Sequence, residues 1–383
     1  EKAEWLTGGS SSEGRLTFKT PDGRTHKVKA RKNFVVDVMD METLVRLAYA
    51  QCSQVNVAII KSDMAKIRLA VAADLATYLV MSWVDHLLHH AYLAWPGSTL
   101  DEANDKQAER MLAILTLCAR SWCVPYDYAS FDHQITTAEI ESITRILVRA
   151  AREHVPTSDK TDFDAITTRL IASFRRSVLT ARVGAQSHTF VVTGGLMSGL
   201  RWTSVYGNAW NSVICHAVTK ILLQCGLDMS DVHRFIRGDD SALFCNSAAM
   251  ARLLIGALNR VGAEGGVGKF GIRLRQTEFL RVFYDALRGF RTYGWPCRAI
   301  PGLMQRKPWA AQPWEEGATL RAILEVAGTL SRRGIDMTRA RPALAAHWCI
   351  RHSLPAAAAT VPRSLGGLGL LPWDGLTRLS PRV

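Results

Sequence analysis

No paired C-x-x-C spacing occurs among the eight cysteines of this 383-residue chain, and most of them sit among apolar neighbours. That argues against zinc, and buried free thiols in a reducing compartment are expected instead. No apolar run reaches the eighteen or so residues that a membrane span needs. The best candidate, residues 69–84, is interrupted by Asp74 and reads as a buried helix. Internal repeats and low-complexity tracts are missing too, which excludes a solenoid or a biased tail. The chain opens on Glu1 rather than Met, and no charged–apolar–small leader pattern follows. The expectation is a soluble chain cut from a longer protein.

Acidic charge is also scarce. Lys and Arg number 47 against 34 Asp and Glu, a net charge of +13. From residue 286 onward there are fourteen basic residues and five acidic ones, a local net of +9, and thirteen of the fourteen are Arg. Guanidinium forks suit bidentate phosphate contacts, so the footprint points to a polyanion, with nucleic acid the leading class. A merely solubilising surface would favour Lys and an even spread. The remaining composition, 48% apolar and 21% charged, is that of a globular protein with chain enough for two or three domains.

Helical apolar spacing over residues 103–122 leads into a short buried-strand signal, Cys123-Val124-Pro125-Tyr126. Thr136-Thr137-Ala138-Glu139 has the capping-box pattern and opens a helix through Ile140, Ile143, Ile146 and Leu147. Residues 188–193 alternate like a strand and end in Gly194-Gly195. Residues 200–224 read as one long, largely buried helix, and Asn246 and Ser247 are candidate caps for the next, running to Arg260. A glycine-rich turn follows at 262–269, then a strand at 277–284. Pro296, Pro301, Pro308 and Pro313 mark a looped, basic transition, the expected domain boundary.

Gly238-Asp239-Asp240 stands between the apolar runs Arg234-Phe235-Ile236-Arg237 and Ser241-Ala242-Leu243-Phe244-Cys245, a strand–turn–strand pattern. Two adjacent carboxylates at a hairpin tip repel each other unless a cation lies between them, and such a tip suits a hard, oxygen-seeking metal. The tripeptide alone is weak, expected by chance in about one in ten chains of this length. Asp127 and Asp132 are five positions apart just after the Cys123–Tyr126 signal. Taken alone, they read more readily as two solvated loop acids, although aspartates ending separate strands can share a metal pair. Ser198-Gly199 opens a helix where close backbone approach to a phosphate or ribose is possible, and an N-capped helix with no ligand fits equally well.

In order, D-x4-D, then S-G-x3-T with asparagines nearby, then G-D-D resembles motifs A, B and C of viral RNA-dependent RNA polymerases. The resemblance extends to Lys61-Ser62-Asp63-Met64-Ala65-Lys66-Ile67-Arg68, similar to the basic motif F, to Lys269 at the place of the motif D lysine, and to Glu278-Phe279-Leu280-Arg281, similar to motif E. The segment Ser364-Leu365-Gly366-Gly367-Leu368-Gly369 resembles the C-terminal region of totivirus-like double-stranded RNA virus polymerases. These matches span residues 58–285 and that last segment. One departure stands out: such polymerases carry Asn nine positions after the motif B serine, where this chain has Gly207, followed by Asn208 and Asn211.

The resemblance implies an α+β right-hand polymerase. Fingers would come from residues 1–120, with an insertion at about 150–190. The palm would be a small antiparallel sheet within 121–285, and residues 286–383 would form a helical, Arg-rich thumb. It implies two Mg²⁺ or Mn²⁺ ions at Asp127, Asp239 and Asp240. Nucleotide contacts would come from Lys61, Lys66, Arg68, Asp132, Ser198, Gly199, Thr203, Asn208 and Asn211. Lys269 would be either a proton donor to pyrophosphate or an electrostatic clamp. Implied partners are RNA template and product, nucleoside triphosphates and a candidate viral capsid protein, with no membrane; the expected location is host cytoplasm, within the virion. Trp202 could line the template path. Two rivals share part of the pattern. A reverse transcriptase shares the palm but usually has an aromatic residue where Arg237 stands, and a non-catalytic RNA-binding module leaves the motif order unexplained.

Overall fold

The computed structural model describes residues 10–300, apart from breaks at 20–22, 24, 33–35, 38, 64–65, 90, 92–94, 101, 184–185 and 267–270. Beyond these it describes 324–331, 333–359, 361 and 365. Two compact units are present, Glu1–Thr277 and Glu278–Val383. The expected Lys269 and nearly all of the 364–369 segment lie outside the described residues.

In the first unit, β1 (Ser10–Lys19) and β2 (Thr25–Arg31) form an antiparallel pair. β3 (Gln54–Asp63), β4 (Lys66–Ala72), β6 (Ser177–Val183) and β7 (Gln186–Val191) form a mixed sheet in the order β4-β3-β6-β7, parallel only between β3 and β6. The third sheet is fully antiparallel, in the order β10-β5-β9-β8. Its strands are β5 (Trp122–Tyr126), β8 (His233–Arg237), β9 (Asp240–Cys245) and β10 (Arg273–Leu274). Pro125 lies inside β5, but β10 reaches only to Cys123, so from Val124 onward β5 is an edge on that side, where proline is tolerated.

The Thr203–Gln224 helix packs on β8, and the Ala248–Arg260 helix packs on β5 and β9. Val124, Tyr126, Ile236, Leu243 and Cys245 meet Tyr206, Trp210, Leu254 and Leu258 in one buried core. All eight cysteines are free thiols, five of them buried. Among the described residues no helix is long and apolar enough to cross a membrane.

The 69–84 stretch is not one helix. Its first residues belong to β4, paired residue for residue with β3, and the helix Leu75–Leu88 starts only after Asp74, whose side chain accepts from Thr77 N–H at 2.8 Å. The residue that interrupts the apolar run is therefore the helix cap.

Thr136 and Glu139 make the reciprocal capping box. The Thr136 N–H donates to Glu139 Oε2 at 2.7 Å, and the Glu139 N–H donates to Thr136 Oγ1 at 3.2 Å. Glu139 also accepts from Trp210 Nε1 at 2.9 Å, tying this helix to Thr203–Gln224. Thr136→Ala is expected to cost about 1 kcal/mol. Thermal unfolding should register that as a melting point lowered by about 2–4 °C.

The boundary between units falls inside β11 (Gln276–Phe279), which with β12 (Val282–Asp285) and β13 (Arg291–Gly294) makes a three-stranded sheet. The single strand expected at 277–284 is thus two, joined through Leu280 and Arg281, both with positive φ (51° and 65°). Bulky side chains seldom adopt that conformation, so this turn is locally strained. In the same unit Leu324, Trp348 and Cys349 form one small buried cluster and Ala327, Leu330 and Met337 another. Arg333 is turned onto its own unit, donating to Trp295 O at 2.9 Å.

Candidate active site

Asp127 is the first residue past the β5–β9 ladder, whose last pair is Tyr126 with Ser241. On the neighbouring strand Asp240 opens β9, paired with Arg237 across a two-residue turn made of Gly238 and Asp239. Gly238 has φ 62° while Asp239 has no positive φ, the pattern of a type II′ hairpin turn. That turn needs glycine at its first central position, which is why the acids follow a glycine. Asp239 and Asp240 are exposed, and Asp127 is half-buried. The antiparallel register therefore delivers all three carboxylates to one end of adjacent strands.

Asp132 comes from the first turn of the short helix Phe131–Gln134, reached through Ser130 in the left-handed region (φ 47°). Its carboxyl is pushed above the ordinary aspartate range, first by desolvation and then by the negative charge of Asp239, with His133 opposing. Residues from motifs A and C thus feel each other electrostatically. Like charges gathered at an exposed site are what a cation would relieve.

Behind these acids stands an aromatic wall. Tyr128 packs edge-on against Tyr126, with centroids 5.0 Å apart, and against Trp210 at 5.9 Å, while Phe131 meets Trp210 at 5.5 Å. Burial raises the Tyr128 hydroxyl well above its usual value, and it donates to Asn211 Oδ1 at 2.7 Å. On the other side the glycine-rich segment is bound to motif A: Ala129 N–H donates to Glu264 O at 2.9 Å, and Gly266 N–H to Asp127 O at 2.8 Å. Gln134 Nε2 donates to Glu264 O at 3.0 Å, and its Oε1 accepts from the Glu264 N–H at 3.0 Å, a further tie between motif A and the glycine-rich segment.

The motif B loop joins two of the expected elements. Leu196 N–H donates to the Asp132 carbonyl at 2.7 Å, so the loop begins against motif A. Ser198, exposed, accepts from the Val71 N–H on β4 at 3.0 Å. A Cβ on Gly199 would lie 1.9 Å from Val71 O and 2.9 Å from Ala73 N, which only glycine avoids. Buried Lys32 donates to Gly199 O at 3.4 Å and lies 4.0 Å over the Tyr78 ring. Thr203 spends its hydroxyl on Met197 O and Leu200 O, at 2.7 and 2.9 Å, closing the loop onto the helix. Arg201 pairs with buried Asp85 at 2.8 Å. Trp202, only 1% exposed, is core packing against Tyr206 and does not line an open path.

On the strand gripped by this loop, the β3–β4 register sets Lys61 across from Arg68 and Asp63 across from Lys66. The basic segment is therefore a hairpin whose second strand touches the Ser198–Gly199 loop. Asn208 and Asn211 are placed differently. Both are at 0% exposure, inside the Thr203–Gln224 helix and bonded to the Gly238 turn, so they stand behind the acids and not beside them. Sequence spacing alone carried no signal of that arrangement, because their partners lie roughly thirty positions downstream.

The oxygen donors at the strand ends are carboxylates, which in kind suit Mg²⁺ or Mn²⁺. Among the described residues no group of three or more His, Cys, Asp or Glu side chains converges as a ready-made metal cluster.

A family profile described as viral RNA-directed RNA-polymerase matches residues 47–305, about two thirds of the chain. The probable RNA-directed RNA polymerase of Giardia lamblia virus (isolate Wang) is 26% identical over 224 residues, which is 58% of this chain and 11% of that protein. The crystal structure of the RNA-dependent RNA polymerase of a human picobirnavirus is similar at TM-score 0.55 and 12% identity, over 99% of this chain and 69% of that one. Its insertion-loop deletion mutant gives 0.53 and 13%, over 98% and 75%. At these identities the structural likeness speaks to the fold alone, an α+β one.

Proposed function

Since the chain belongs to the viral RNA-directed RNA-polymerase family, we propose that it carries the catalytic region for template-directed RNA synthesis on an RNA template. The observation that carries the reading is the placement of Asp127, Asp239 and Asp240 at the same end of neighbouring strands, with the motif B loop seated between Asp132 and the basic β3–β4 hairpin. In this reading Asp127 and Asp239 hold two divalent ions and Asp240 assists. Bound there, such ions lower the pKa of the attacking 3′-hydroxyl and neutralise charge at the α-phosphate. Lys61, Lys66 and Arg68 bind the triphosphate, as cations suited to phosphate oxygens. Ser198 and Gly199 approach the nucleotide through the loop, with Thr203, Asn208 and Asn211 shaping the site from behind. Lys269 either protonates the departing pyrophosphate or holds it by charge.

The wider organisation follows the same reading: fingers from residues 1–120 and about 150–190, palm from 121–285, thumb from 286–383. The Arg-rich remainder would hold the template–product duplex by its phosphates. A capsid protein as partner, and a place inside the virion, complete the proposal.

The direct test is incubation of the chain with an RNA template, one labelled nucleoside triphosphate and Mg²⁺ or Mn²⁺. Extended product supports the reading, and RNA binding without extension would favour a non-catalytic module. Asp132→Ala bears on the substrate. This variant is expected to narrow the ratio of kcat/KM between ribo- and deoxyribonucleotides by ~10²-fold or more, since a polar site left unpaired is what rejects the missing hydroxyl. An unchanged ratio would remove Asp132 from sugar recognition.

A further inference from the structure

Gly238 is the first of the two turn residues between Arg237 and Asp240, and a two-residue tip of this kind has few restraints of its own. Here both of its peptide groups are taken by one helix. The Gly238 N–H donates to Asn208 Oδ1 at 3.3 Å, and Asn211 Nδ2 donates to the Gly238 carbonyl at 2.8 Å. Residues three apart share a helix face, so the two amides can grip a single turn.

Asn211 reaches further. Its Nδ2 also donates to Ser241 Oγ at 2.8 Å, and its Oδ1 accepts from Tyr128 OH at 2.7 Å. One buried amide therefore touches the residue after Asp127, the residue before Asp239 and the residue after Asp240. Asn208 Nδ2 is held in turn by Ser98 Oγ at 2.9 Å, and the Ser98 segment is bridged to β8 at Ile236. Gly207 gives the helix its close approach: a Cβ there would stand 3.0 Å from Phe131 Cε1 and 3.6 Å from Gly238 Cα.

We propose that Asn208 and Asn211 are positioning residues, a paired clamp on the peptide groups of Gly238 that fixes Asp239 and Asp240 relative to Asp127. Asparagine suits 211 because the position donates to a carbonyl and accepts from a phenol at once, which an ionised Asp or an Ala cannot do. With zero exposure, neither amide reaches a nucleotide sugar in this arrangement. The inference rests on the proposed polymerase reading for its functional meaning, while its structural content is separately measurable.

The test uses Asn211→Ala and Asn208→Ala in the full chain, with three readouts. Amide hydrogen exchange across residues 233–245 should speed at the turn. Mn²⁺ binding, followed by electron paramagnetic resonance without RNA or nucleotide, should weaken by ~10-fold, the effect usual for groups that orient metal ligands. Single-nucleotide incorporation should need correspondingly more Mg²⁺, with the ribo-to-deoxyribonucleotide ratio unmoved. Unchanged turn exchange together with an unchanged Mn²⁺ midpoint overturns the clamp. A collapsed sugar ratio with an unmoved metal midpoint overturns it in favour of direct sugar contact. Should either variant lose its cooperative melt, Tyr128→Phe removes only one hydroxyl from the network. It should still raise the Mn²⁺ midpoint by about threefold, and no shift overturns the proposal. If the parent chain makes no RNA, the polymerase reading fails, and exchange at the Gly238 turn still decides the clamp.

Discussion

Asp239→Asn is expected to lower nucleotide incorporation by at least ~10³-fold, about 4 kcal/mol of barrier, while RNA affinity stays within about twofold. The substitution keeps the side-chain shape and removes a charge from the hairpin tip. Its structural cost should be small. Asp239 is exposed, and the turn's demanding conformation falls on Gly238. Losing the charge also relieves Asp132, whose carboxyl is raised partly by Asp239. The melting point should therefore hold or rise in metal-free buffer. A protein that stays folded and binds RNA yet cannot extend it separates chemistry from assembly. Single-turnover incorporation and a salt-controlled binding titration measure the two arms. More than about a tenth of parental activity, a loss under ~1.4 kcal/mol, would take this hairpin out of the chemistry.

The features legible in the sequence are those set by local chemistry. Thr136 and Glu139 announce a helix start because the capping box closes within four residues. Gly238 announces a turn because few other residues tolerate its φ. Ser247 caps the next helix by accepting from the Met250 N–H. Where distant partners decide, the sequence is quieter. Residues 69–72 form a strand and not a helix because β3 supplies a ladder from a run ending ahead of Lys66, outweighing an apolar pattern that fits either state. The 200–224 helix begins at Thr203 because the preceding residues are committed to a loop against β4. The Leu280–Arg281 turn carries none of the Gly, Asn or Asp chemistry that marks tight turns, so a hairpin looked like one strand. At the site, the acids could be recognised by type and order. The burial of Asn208 and Asn211 depends on a hairpin that arrives later in the chain, and nothing in their spacing records it.

The second large effect concerns Gly199. An alanine Cβ there would fall 1.9 Å from Val71 O, 2.8 Å from Val71 C and 2.9 Å from Ala73 N. All three are backbone atoms at the end of β4, so no flexible side chain can swing away. Either the strand or the loop must move. The loop is the softer side, since among the described residues a Ser198–Val71 bond at 3.0 Å joins it to β4, with the Lys32 contact at 3.4 Å beside it. Forcing the extra atom in should cost about 2–3 kcal/mol, as overpacking does. In a unit of this size that lowers the melting point by about 4–12 °C. Displacement also separates the loop from the hairpin bearing Lys61, Lys66 and Arg68, and a misplacement of about 1 Å at a reacting site can cost ~10²-fold in rate. Two comparisons isolate the cause. Gly194→Ala adds the same methyl in the same loop where nothing lies within 4 Å, and should be close to silent. Ser198→Ala removes the bond to Val71 and should cost about 1 kcal/mol in the melt, while its kcat/KM also reads the hydroxyl's part in the proposed nucleotide site. Thermal melts and kcat/KM for a single nucleotide, run on all three variants, read both consequences. If Gly199→Ala melts and turns over like Gly194→Ala, the close seating of this loop on β4 is not a feature of the folded protein.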